Sequence, residues 1–101
     1  MRKLNCLVAG NDDLSIDVMR LLIEIGHEVF GIFTESRAVK DWAVLEKIQL
    51  FSMGDLGKND FENVDYLFCV DEELLASSKL QDIPIPVIHS FNTSIVRSIS
   101  L

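Results

Sequence analysis

The sequence predicts a Rossmann-like three-layer α/β sandwich with about five mostly parallel strands in the order 3-2-1-4-5 and helices on both faces. Three observations predict it. Dense apolar runs of strand length recur at residues 4–9, 29–34, 64–70 and 87–91. Between them lie stretches with helical spacing, so that strand, helix and strand fit into about thirty residues, the size of a βαβ unit with parallel strands and a right-handed crossover. Nearly half of the 101 residues are apolar, which is material for one core, and a chain of this length has room for only one.

The first run, Leu4-Asn5-Cys6-Leu7-Val8-Ala9, stops at Gly10-Asn11-Asp12-Asp13, a loop whose carboxylates are suited to capping a helix. From Leu14 onward, Ile16, Met19, Leu21, Leu22 and Ile23 recur at helical spacing with Asp17, Arg20 and Glu24 between them. Gly26 ends that helix, since a residue without a Cβ takes the left-handed conformation at low cost. Residues 29–34 form the second strand. Residues 38–48 read as an amphipathic helix, with Val39, Trp42, Ala43, Leu45 and Ile48 on the apolar side and Lys40, Asp41 and Lys47 on the wet side. Trp42 is expected to anchor this helix to the sheet.

Residues 50–53 read as a short edge strand and residues 54–60, rich in turn formers, as a surface loop. Residues 64–70, Val-Asp-Tyr-Leu-Phe-Cys-Val, have the density of a strand buried on both faces. Asp71-Glu72-Glu73 places carboxylates where the next helix begins and runs toward Leu80. Ile83-Pro84-Ile85-Pro86 is a stiff extended approach to the last strand, Val87 to Phe91. The tail from Asn92 is expected as a short helix or an edge segment.

Nine basic against sixteen acidic residues give a net charge of -7, which repels a phosphate backbone and argues against nucleic acid as a partner. No opening stretch has the order of a signal peptide and no apolar run reaches the length of a membrane helix, so a cytoplasmic protein that does not cross a bilayer is expected. Cys6 and Cys69 each sit inside an apolar run and read as reduced thiols buried in neighbouring strands. Without a Cys-x-x-Cys spacing, and with only His27 and His89 as imidazoles, the ligands for a structural zinc are missing.

Gly10-Asn11-Asp12-Asp13 stands where a dinucleotide-binding protein has its phosphate loop, but it lacks the glycines that let a backbone approach a pyrophosphate and adds two carboxylates that repel one. The same carboxylates are similar to those of receiver domains, which hold a metal after the first strand. Asp12 and Asp13 fit that pattern, whereas Asp71 falls one residue late and no lysine follows the last strand. His27 is expected at the surface or as a capping group. His89, near the carboxyl end of a parallel strand, has the better position for chemistry but lacks an evident partner.

Cys6-Leu7-Val8-Ala9-Gly10, the stretch from Leu21 to Thr34 with Gly26-His27-Glu28-Val29 at its centre, Asp41-Trp42-Ala43, the stretch from Phe61 to Val70, and Val87 to Arg97 follow one another in a recognisable order. In that order the chain resembles the N-terminal half of the folate-dependent formyltransferase domain, closest to the divergent versions at the front of nonribosomal peptide synthetases. The resemblance covers nearly the whole chain and about half of the family's catalytic domain. It implies one truncated domain over residues 1–101 and a strand carrying an Asn-x-His pair, followed by a turn and an Arg that help polarise the formyl group.

Laid on this sequence, the Asn position is His89, the His position is Phe91, the turn is Asn92-Thr93-Ser94-Ile95-Val96, and the Arg is Arg97. Phe91 neither exchanges a proton nor donates a hydrogen bond, and the family's later Asp has no counterpart here, so the groups that stabilise an oxyanion and move a proton are lost. The expectation is a non-catalytic interaction or docking module of a peptide or polyketide assembly line. It has no catalytic, cofactor-binding or metal-ligating residue and no cofactor, and its partner is an assembly-line protein or a second copy of itself. The alternatives are a formyltransferase-type enzyme half completed by another domain, and a degenerate receiver-like signalling domain.

Overall fold

A computed structural model describes residues 3–52, 61–70 and 85–88. The elements are β1 (Asn5–Ala9), α1 (Asp13–Glu24), β2 (Glu28–Phe33), α2 (Arg37–Leu45), β3 (Gln49–Phe51), β4 (Tyr66–Cys69) and β5 (Val87–Ile88). The loop over residues 54–60, the helix from Asp71 toward Leu80, Ile83-Pro84, the end of the last strand at His89, Ser90 and Phe91, and the tail from Asn92 lie outside the described residues. The five strands form one sheet in the order β3-β2-β1-β4-β5, and every adjacent pair is parallel. This is the Rossmann-like order read from the sequence.

Both helices start on a polar side chain and end in the same motif. Asp12, in extended conformation, accepts the amide of Leu14 through its carboxylate, and Ser36 accepts that of Val39 through its hydroxyl. Each satisfies an amide that the helix itself leaves without a partner. At the other end of α1, Gly26 at φ 98° donates to the Ile23 carbonyl and His27 donates to that of Leu22. At the end of α2, Lys47 at φ 60° donates to Val44 and Ile48 to Ala43. Both sets are the paired bonds of a Schellman turn. Lys47 thus does in α2 what Gly26 does in α1, which is why α2 ends at Leu45 rather than at the expected Ile48.

The strand alternation divides the core into two layers. Cys6, Val8, Ile32 and Phe68 face α1 and α2, packing against Val18, Met19, Leu22, Val39, Ala43 and Ile48. Leu7, Ala9, Phe33, Leu67 and Cys69 face the other way, toward Phe51, Phe61, Val64 and Ile85. Because β1 and β4 are buried on both faces, they read as continuous apolar runs rather than alternating ones. The two described helices therefore share one face. The helix expected over the opposite face lies outside the described residues.

The aromatic face depends on an irregularity in β2. Cys6 pairs with Val29 and Leu7 with Gly31, leaving Phe30 without a counterpart in β1. The extra residue bends the strand locally. A Cβ on Gly31 would overlap the Phe51 ring, approaching its Cδ2 to 2.6 Å. Phe51 stacks on Phe30 and Phe33, with ring centroids at 5.9 and 5.2 Å, and Phe61 meets all three edge-on. Such pairs add to what burial alone provides.

Candidate functional site at the carboxyl ends of the strands

An open parallel sheet binds ligands where strand order reverses, outside the carboxyl ends of the strands. Here that point lies between β1 and β4, because β2 and β3 extend to one side of β1 while β4 and β5 extend to the other. Gly10 leaves β1 and donates to the Phe33 carbonyl at 3.0 Å, while the amide of Val70 donates to the Ala9 carbonyl at 2.9 Å. Gly10 is buried, and a Cβ there would overlap both Val70 Cγ2 and Ser15 Oγ. The chain's own side chains thus fill the space beside Gly10 where a phosphate would approach the backbone.

The polar residues at this end are occupied in bracing the loops. Asn11 Oδ1 accepts from Thr34 Oγ1 at 3.0 Å and from the amide of Glu35 at 2.7 Å, tying the loop after β1 to the loop after β2. Thr34 Oγ1 in turn accepts the amide of Ser36 at 3.1 Å. Asp12 and Asp13 are exposed at the first turn of α1. Among the described residues no group of three or more His, Cys, Asp or Glu side chains is placed to hold a metal ion. The sheet order also separates this fold from the 2-1-3-4-5 order of receiver domains. Asp71, His89, Phe91 and Arg97 lie outside the described residues.

Ser15 is the residue that spacing did not single out. Its hydroxyl is fully buried at the third helical position of α1 and has no hydrogen-bond partner. A serine after a capping aspartate ordinarily signals only a helix start, so nothing in the sequence marks its burial.

The capping reading of His27 holds through its amide, which closes the turn after α1, but the surface reading requires a correction. Rather than lying at the surface, the residue is 4 % exposed. Its Nδ1 accepts the amide of Leu4 at 3.0 Å, and Nε2 is buried with no partner. Burial pushes the imidazole pKa below its ordinary value. The ring sits at the amino-terminal end of the strands, opposite the reversal point.

Cys6 and Cys69 are buried thiols, and they occupy opposite faces of adjacent strands. Burial, and secondarily the charge of Asp65, pushes the Cys6 thiol up to about 12, so it carries no thiolate at neutral pH.

On the helix face, Trp42 packs partly buried against the core as expected, with the Arg20 guanidinium 5.9 Å from its ring centroid. Leu45, expected on the apolar stripe of α2, is instead 81 % exposed, and its neighbour Val44 is 62 % exposed. At about 100° per residue, position 45 stands about 120° from the face shared by Val39, Trp42 and Ala43. Leu50, 38 % exposed, lies on β3, in register with Ile32 on the helix side of the sheet. Among the described residues no strand pairs with the outer edge of β3.

Comparison of the chain with protein-family models, with curated proteins and with solved structures finds no match. Among the described residues no helix is long and apolar enough to cross a membrane.

Proposed function

We propose that this chain is a non-catalytic, formyltransferase-like docking module that works in the cytoplasm within a peptide or polyketide assembly line. The observations that carry the docking role are the exposed apolar side chains of Val44 and Leu45 on α2 and of Leu50 on β3, together with the outer edge of β3, which pairs with no strand among the described residues. A strand at the end of a sheet offers backbone hydrogen bonds to a partner, and exposed apolar side chains offer it apolar area. The absence of catalysis is supported by Phe91, a hydrocarbon at the position where the resembled family has its imidazole. Filling of the space beside Gly10 by Val70 and Ser15 agrees with it.

An assembly-line protein is the favoured occupant over a second copy, because self-association brings together two chains of charge -7. Two measurements test the reading. Incubation of the purified chain with a formyl-folate donor and aminoacyl acceptors is expected to yield no formylated product, and measurable transfer overturns the non-catalytic role. Light scattering is expected to give the mass of one chain at micromolar concentration, whereas a stable dimer assigns these exposed groups to self-association.

A further inference from the structure

We propose that His27 is a proton-operated latch on the approach to the central strand. The ring joins three elements at one corner. Its backbone closes the Schellman turn of α1 by donating to Leu22, it immediately precedes β2, and its Nδ1 holds the amide of Leu4 just ahead of β1. Leu4 also accepts the amide of Glu28 at 2.9 Å, so releasing Leu4 loosens the first rung between β1 and β2. In α2 the equivalent position of the turn is Ile48, a hydrocarbon that meets the packing requirement without touching a strand amide. The imidazole adds an acceptor to that role.

Accepting a hydrogen bond at Nδ1 fixes the neutral tautomer, with the proton on Nε2. A second proton can enter only at Nδ1. It would point an N–H at the Leu4 N–H across 3.0 Å and leave a buried imidazolium whose Nε2 already lacks a partner. Among the described residues, the charged groups carried here by the packed elements are Lys3 ahead of β1, Glu24 ending α1, Glu28 opening β2 and Asp65 ahead of β4. Lys3 and Glu28 are well exposed and pair with each other at 3.9 Å, Glu24 is exposed, and Asp65 accepts the amide of Asn5. None of them is placed to compensate a charge on the ring, whose affinity for protons burial lowers.

The sign follows from linkage. With the folded pKa depressed, the neutral form stabilises the closed corner above the ordinary histidine value of about 6.5, and that stabilisation is lost as pH falls toward the folded pKa. Opening is then favoured up to about tenfold per pH unit within that window.

The test is amide hydrogen exchange on the full chain between pH 7.5 and 5.0, corrected for intrinsic exchange rates. Protection at Leu4 and Glu28 is expected to fall by up to about tenfold per unit below pH 6.5, while protection at Glu46 and Ile48 changes less. In His27→Asn, whose side-chain oxygen replaces the Nδ1 acceptor, the fall should disappear. Protection that is flat with pH in the wild type, or equally pH-dependent in His27→Asn, overturns the latch. Nitrogen chemical shifts of the wild-type ring provide a check that needs no variant: a proton on Nε2 at pH 7.5 is expected, and a proton on Nδ1 refutes the mechanism.

Discussion

Gly10→Ala tests the packing at the reversal point most sharply. The added methyl meets Val70 Cγ2 on one side and Ser15 Oγ on the other, and Ser15 Cβ stands 3.4 Å away. Gly10 cannot withdraw, because its amide is bonded to Phe33 and the neighbouring strand is held through the Val70 to Ala9 bond. Forcing a methyl into a filled core costs about 1–3 kcal/mol. With two obstructing groups, one on α1 and one just past the end of β4, about 2 kcal/mol is expected. For a domain of this size that lowers Tm by about 8–16 °C, readable by circular dichroism melting or differential scanning calorimetry. Val70→Ala removes one of the obstructions, so a double-mutant cycle should show a favourable coupling of about 0.5 kcal/mol or more. A melting temperature unchanged by Gly10→Ala, or strict additivity with Val70→Ala, would refute the crowding described here.

Three further outcomes follow from the same geometry. Lys47→Gly should stabilise the chain by up to about 1 kcal/mol, since a non-glycine residue in the left-handed region carries a cost that glycine avoids; urea unfolding measures it, and destabilisation would contradict the turn assignment. Ser15→Ala should raise stability by about 1 kcal/mol by removing a buried hydroxyl without a partner; a loss of stability in the same assay would mean that the hydroxyl is satisfied in solution. Cys6 should resist iodoacetamide at pH 8 in the folded chain and react once urea unfolds it, because both burial and the Asp65 charge oppose the thiolate; rapid alkylation of native Cys6, located by peptide mapping, would contradict its placement.

The frame of the fold is legible in the sequence because β1, β2 and β4 are dense apolar runs and Gly26 marks a helix end in plain sight. The end of α2 is not legible, because Lys47 adopts the same backbone conformation without glycine's signature. Leu45 is misplaced by the longer helix for the same reason: continuing the apolar spacing to Ile48 draws Leu45 into a stripe that the true helical phase excludes. The irregularity at Phe30 is hidden because register is a relation between strands, and a run such as Val29-Phe30-Gly31-Ile32-Phe33 reads as uninterrupted by itself. His27 escapes because a histidine after a helix-ending glycine normally meets solvent, and only the tertiary position of Leu4 makes it an acceptor. Of the residues considered for chemistry, Asp12 is legible as a cap, whereas the exposure of Val44, Leu45 and Leu50 emerges only once the helical phase of α2 and the place of β3 in the sheet are known.

The proposed docking role rests most directly on the exposed Leu45 of α2, and affinity capture from the native host addresses it. The wild-type chain and Leu45→Asp, a surface change expected to leave Tm within about 4 °C, are each used as bait, and recovered proteins are identified by mass spectrometry. The expected result is an assembly-line protein with condensation, adenylation or carrier domains, retained by the wild type and lost with Leu45→Asp. Equal retention by both baits, or no such protein with either, would contradict it.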